Sequence, residues 1–137
     1  MLDEIGLQKA LGLESCYNLF ASSNHLVHTT SAIRHPVFVH GRNYTGHSPD
    51  LLSHPVLARY VGTVLSSELT TLPKALFIPL GECVSEVLRH LIQSGHLSAT
   101  TCLLGFPHPS AANGHRKIQF EHRRDSFIRI CDEWSGA

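Results

Sequence analysis

The sequence predicts an α/β fold: a three-layer α/β/α sandwich with a mainly parallel central sheet, in a single domain over residues 1–137. Three observations carry that expectation. An apolar run ending in glycine, KALFIPLG at residues 74–81, leads into an amphipathic segment and then into a second apolar run, TTCLLGF at 100–106. Strand, helix and strand at that spacing make a right-handed βαβ unit with parallel strands. A third candidate strand at 17–27 and a terminal helix with one apolar stripe supply the remaining layers.

The elements follow in order. Residues 2–11 form a short helix stopped by Gly12. YNLFASSNHLV at 17–27 reads as a strand running into a loop, with aromatics first and small polar residues at its end. Residues 28–52 are loop-rich, with Arg34, His35, Pro36, His40, Gly41, Arg42, Asn43, Tyr44 and Gly46 around one short apolar strand at 37–39. A helix follows Ser53, with Pro55 in its first turn and Val56, Leu57, Tyr60, Val61, Val64 and Leu65 as its stripe. The helix after Gly81 puts Val84, Val87, Leu88, Leu91 and Ile92 on one face and stops at Gly95. The last helix carries Phe127, Ile130, Cys131 and Trp134.

Composition narrows the function classes. A chain of 137 residues buries a real core, and 42% hydrophobic with 16% charged residues excludes a disordered chain. Lys plus Arg (11) equals Asp plus Glu (11), so no global field draws the chain onto nucleic acid and local charge decides. The N-terminal segment has early acids and no long apolar run, so it reads as neither signal peptide nor membrane span. Cys16, Cys83, Cys102 and Cys131 lie far apart in apolar surroundings, without zinc-ribbon or redox-motif spacing. They read as reduced core thiols of a cytoplasmic protein.

The βαβ unit brings Gly81 and Phe106 to the carboxyl edge of the sheet, where open α/β sheets bind ligands. Pro107-His108-Pro109-Ser110-Ala111-Ala112-Asn113-Gly114 comes next. Two prolines constrain His108, and a preorganised donor suits developing negative charge. Asn113-Gly114 supplies a tight turn. Then Arg116, Lys117, Arg123 and Arg124, with His115 and His122, form the densest basic patch of the chain, suited to a phosphate backbone.

The segment GFPHPSAANGHR resembles the second active-site motif of the uracil-DNA glycosylase superfamily, a His-Pro-Ser loop after a buried strand. ALFIPLGECVSEVLRHLI is similar to the strand-Gly-helix that precedes that motif, and Asn24 in ASSNHLV resembles the asparagine that reads the flipped base. The resemblance covers residues 13–131. It implies a DNA partner carrying a damaged or deaminated base such as uracil, flipped from the duplex and cut at its N-glycosidic bond. His108 would be the catalytic donor to the base oxygen, and Asn24 would bind the base. Ser110, Asn113, Arg116, Lys117 and Arg123 would hold phosphates. No cofactor and no metal are expected.

Two departures qualify what the resemblance implies. The first motif, with its water-activating residue and stacking aromatic, should lie upstream of Met1, so the chain is expected to be the C-terminal portion of such a domain or a reduced relative. The bulky wedge residue after His-Pro-Ser is replaced by Ala111 and Ala112. A non-catalytic nucleic-acid or nucleobase-binding module is therefore the alternative, and a small-molecule enzyme using the histidine-rich loop is a third. An enzyme would have to draw its acid from Asp3, Glu4, Glu14 or Asp50. His25, His28, His35 and His40 lack a carboxylate or cysteine at ligand spacing, which argues against metal. Cys83 sits near a helix N-terminus, but reads as a core cysteine. Glu82 complements the helix dipole. A homodimer stays open.

Overall fold

The computed structural model describes residues 1–136. The apolar runs at 74–81 and 100–106 lie side by side, as burying both faces of each requires. Phe77 donates its N–H to Thr101 O (2.8 Å), and Leu103 donates to Phe77 O (2.9 Å). Together these make one parallel bridge, between Phe77 and Cys102. Around the bridge, over 76–78 and 102–104, side chains alternate with the period of two that extended backbone imposes. Leu76, Ile78 and Leu103 face one buried cluster; Phe77, Cys102 and Leu104 face the other.

The expected three-layer sandwich with a parallel central sheet does not form. Among the described residues the only sheet is a two-stranded antiparallel hairpin, β1 (Phe38–Val39) with β2 (Arg42–Asn43). The physical reason lies in the third candidate strand. Residues 17–27 coil into 3₁₀ turns at Cys16–Phe20 and Asn24–Leu26. Ser15 caps the first of them, its hydroxyl accepting the Tyr17 N–H (3.2 Å). Cys16 and Leu19 are buried while Tyr17 and Phe20 stay exposed. Residues three apart share one line of a 3₁₀ turn, so this pattern fits that turn and not the alternation of a strand. Without a third strand, the parallel pair cannot grow into a sheet.

The hairpin turns at His40 (φ 50°) and Gly41 (φ 75°). Two positive φ values in a two-residue loop match the right-handed twist of the flanking strands.

The helices form close to where apolar spacing puts them. The N-terminal helix splits into a 3₁₀ turn, Asp3–Ile5, and α1 (Leu7–Ala10), because Gly6 takes a left-handed conformation between them. The Asp3 carboxylate accepts from the Ser15 hydroxyl and the Cys16 N–H (both 2.7 Å), tying the two segments together. Then α2 (Pro55–Tyr60), a π turn (Val61–Leu65) and α3 (Ser66–Thr70) run on as one helical stretch. Leu57, Val61, Leu65 and Leu69 are its buried face, each four residues from the next. They pack with Val87, Leu88 and Leu91 of α4 (Glu82–Gln93) in one cluster.

On the other side of the bridged runs, α5 (Arg116–Glu121) and α6 (Arg124–Ser135) bury Phe120, Phe127 and Cys131 with Ile5, Leu7, Leu19 and Phe106. Trp134 donates its indole N–H to Lys74 O (2.8 Å), which fastens α6 to the start of the first run. Among the described residues no helix is long and apolar enough to cross a membrane.

Candidate functional site

The loop at 107–114 leaves the protein between anchors. Phe106, at its base, belongs to an aromatic trio with Phe120 of α5 (centroids 6.0 Å apart) and Phe127 of α6 (5.4 Å). Gly81 donates its N–H to Phe106 O (2.9 Å). His108 then stands exposed against Gly81: a methyl group added there would lie 3.2 Å from His108 Cβ and 3.4 Å from Cδ2. Only glycine takes φ 98° at that turn without strain, and only glycine leaves room for the imidazole.

Hydrogen bonds fix how the ring is presented. The Ser110 N–H donates to His108 Nδ1 (3.1 Å). Nδ1 is then an acceptor, so the neutral ring carries its proton on Nε2 as a donor. The Ala112 N–H donates to Ser110 Oγ (3.2 Å). Asn113 Nδ2 donates to His108 O (3.2 Å) and to Gln119 Oε1 (2.9 Å), tying the loop to α5. Ser110 and Asn113 are thus engaged in holding the loop.

The cations divide. The Arg116 guanidinium turns onto the loop and donates to Ser110 O and Asn113 O (both 3.4 Å). Arg124 pairs with Glu121 (3.6 Å). Lys117 and Arg123 are exposed and make no ion pair among the described residues. Arg123 lies over Gly105, close enough that a Cβ there would be 2.6 Å from Nε. His108, Lys117 and Arg123 are all exposed, while the Arg116 guanidinium is turned onto the loop.

Asn24 sits on a different element from the loop. It is exposed on the 3₁₀ turn Asn24–Leu26, and no hydrogen bond among the described residues joins it to the His108 loop. The four acids open to an enzyme are placed too. Asp3 holds Ser15 and Cys16, and Glu4 pairs with the N-terminal ammonium (2.8 Å). Asp50 accepts from Ser53 and Leu52, and Glu14 is exposed with no hydrogen-bond partner among the described residues. None of the four bonds to the loop.

The remaining side chains settle into structural contacts. His28 Nε2 meets Glu68 Oε1 (2.8 Å), His35 packs edge-on against Tyr60 (5.9 Å), and His40 makes the hairpin turn. No group of three His, Cys, Asp or Glu among the described residues is placed to hold a metal ion. Cys83, second residue of α4, donates its thiol to Gly46 O (3.3 Å), and burial pushes that thiol up rather than down. Glu82 and Glu86 both pair with Arg89.

With this geometry in hand, comparison with known proteins adds one relative. The chain is 42% identical over 130 residues to YoxB of Bacillus subtilis (strain 168), described as an uncharacterized protein. The match covers 94% of this chain and 51% of that one, so the chain spans about half the length of the curated relative it matches. No family model matches, and no solved structure matches.

Sequence reasoning missed the support beneath the loop. Ser85 is fully buried on α4 and its Oγ accepts the Gly105 N–H (2.9 Å). The signal was available: Ser85 lies three residues before Leu88 and six before Leu91, a polar residue inside an apolar stripe.

Proposed function

We propose that the chain is a nucleic-acid-binding module whose contact face is the His108 loop with Lys117 and Arg123. The observation that carries this is the posture of His108. Its Nδ1 is occupied by the Ser110 N–H, so Nε2–H is offered from an exposed loop, and Lys117 and Arg123 in the segment that follows are exposed and make no ion pair among the described residues. A ring N–H suits a base carbonyl oxygen, and cations beside it suit the flanking phosphates. Four unpaired thiols support a reducing, cytoplasmic setting.

A second reading is hydrolysis of the N-glycosidic bond of a flipped, deaminated base such as uracil. What favours it is the same aimed donor: a base leaving with charge on its oxygen would be stabilised there, by about 3 to 4 kcal/mol for one donor. What holds it second is that Asp3, Glu4 and Asp50 are committed to other contacts and Glu14 makes no bond to the loop, which leaves water activation unassigned.

The test is fluorescence anisotropy with labelled single-stranded DNA, with and without uracil, at low salt. Lys117→Glu combined with Arg123→Glu should weaken binding to every sequence alike, because phosphates carry no sequence information. His108→Ala should reduce preference for uracil-containing strands. Wild-type affinity in the double charge reversal refutes the proposed face. Release of free uracil by the wild type, lost in His108→Ala, would promote the hydrolase reading.

A further inference from the structure

Two buried polar side chains stand out in the core, Ser66 and Ser85. The Ser66 hydroxyl donates back to Gly62 O (2.7 Å) within its own helical stretch, a local bond of the kind helices often hold. Ser85 differs. Its Oγ reaches across twenty residues of sequence to accept the Gly105 N–H (2.9 Å).

That bond closes a frame. Ser85 donates its own N–H to Gly81 O (3.0 Å), and Gly81 donates to Phe106 O (2.9 Å). Helix α4, the turn before it and the turn before the loop are therefore cross-braced at Gly81, Ser85, Gly105 and Phe106. The two glycines have left-handed φ values, 98° and 81°. Neither has a side chain, and each seats a group of the proposed contact face: His108 packs on Gly81, and the Arg123 guanidinium lies on Gly105.

We propose that Ser85 is a positioning residue for this face, acting through Gly105 to set where the Arg123 guanidinium and the His108 ring stand. The inference rests on the nucleic-acid-binding reading above for its functional consequence. An alanine at position 85 removes the acceptor and leaves the Gly105 N–H unpaired, with no partner of its own to replace it. The same alanine is a better helix former than serine and fits the apolar stripe, so α4 itself is not weakened. The turn at Gly105 is released, and groups aimed from it lose their register. Displacements near 1 Å are enough to spoil an aimed contact.

The experiment compares wild type and Ser85→Ala by NMR and by oligonucleotide binding. In wild type the Gly105 amide should exchange slowly, and the His108 ring should show a single neutral tautomer with its proton on Nε2. In Ser85→Ala the Gly105 amide should exchange at least about tenfold faster, as loss of one hydrogen bond allows. The His108 ring signals should shift toward a mixture of tautomers. Affinity for a single-stranded uracil oligonucleotide should fall about tenfold. In a background already carrying His108→Ala and Arg123→Ala, the further loss from Ser85→Ala should shrink to less than about twofold, which a general loss of stability would not produce.

A folded Ser85→Ala protein with wild-type His108 signals and wild-type affinity overturns the inference. If wild type binds no oligonucleotide, the binding reading fails and the ring and amide signals still decide the positioning role. If Ser85→Ala does not fold, wild-type exchange at Gly105 decides: an amide exchanging as freely as an open loop overturns the inference. Gly81→Ala then probes the frame from its other end, and unchanged His108 ring signals in that variant also overturn it.

Discussion

Phe120 closes the aromatic trio that anchors the site loop, and Phe120→Leu measures what that closure contributes. The ring is 1% exposed, and its centroid lies 6.0 Å from Phe106 at 76° and 6.1 Å from Phe127 at 40°. Leucine keeps most of the buried apolar area but removes both ring pairs. Each pair is worth about 0.5–1.5 kcal/mol beyond area burial, so the loss should be about 1–3 kcal/mol. In urea, with a slope of about 1–3 kcal/mol/M, the midpoint should drop by about 1 M at unchanged slope. A cycle with Phe106→Leu should show coupling of about 0.5–1.5 kcal/mol between the two positions. Because Phe106 precedes the loop and Phe120 follows it, the single variant should also speed amide exchange at Ser110 and Asn113. A loss below about 0.5 kcal/mol, or strict additivity in the cycle, refutes the claim that ring geometry holds the loop.

Leu91 is fully buried on α4, in the cluster with Leu57, Val61, Leu65 and Leu69, so Leu91→Ala should cost about 2–5 kcal/mol in the same urea assay, and a cost under about 1 kcal/mol would show a collapsible site. Hydrogen bonds from His28, then Thr30, with the charge of Arg34, hold the Glu68 carboxyl below its ordinary value of 4.5. Its contribution is therefore complete above pH 4.5 and lost as pH falls through the lowered value. Glu68→Gln should lose about 1 kcal/mol at pH 7, since its partners are half exposed, and the gap to wild type should narrow as pH falls below 4.5; a constant gap at all pH values would refute this. Burial pushes Cys16 up to about 12 and Cys102 and Cys131 to about 11. At pH 8 a thiol reagent should thus label native protein slowly, Cys83 first, and all four thiols at once in denaturant; rapid native labelling of Cys102 would contradict the packing.

What was legible in the sequence was what depends on neighbours along the chain. Of the stripe expected at Val56, Leu57, Tyr60, Val61, Val64 and Leu65, Leu57, Val61 and Leu65 are buried and Leu69 continues their line, whereas Val56 is exposed; Gly95 follows α4 at φ 75°. Of the two strands expected at 74–81 and 100–106, only one parallel bridge forms, between Phe77 and Cys102, and the second run begins in a 3₁₀ turn at Ala99–Thr101. The third expected strand does not form. YNLFASSN is rich in residues that suit strands, but Ser15 caps a turn and Asp3, thirteen residues from Cys16, fixes it by accepting that residue's N–H. A side-chain bond over that separation overrides propensity and leaves no trace in a local window. In the site, the prolines around His108 pointed to a fixed ring, whereas the glycines that make room for His108 and Arg123 became meaningful only in three dimensions.

The basic segment shows how such counting misleads, and it yields a salt dependence that can be worked out. Sequence places Arg116, Lys117, Arg123 and Arg124 together, which suggests four phosphate contacts. Arg116 is spent on loop carbonyls, and Arg124 faces Glu121. Glu4, held at the N-terminal ammonium, also lies in the field of Arg124 and Lys117, so even Lys117 is partly offset. Two cations at most remain for phosphates. On single-stranded DNA each neutralised phosphate contributes about −0.7 to the slope of log K against log salt, so the slope should be about −1.4. The measurement is made at one fixed pH throughout. Arg123→Ala should flatten the slope by about 0.7, and Arg116→Ala should weaken binding by loosening the loop while leaving the slope almost unchanged. A wild-type slope near −3 would mean that all four cations reach phosphates, and that the inward turn of Arg116 gives way when nucleic acid binds.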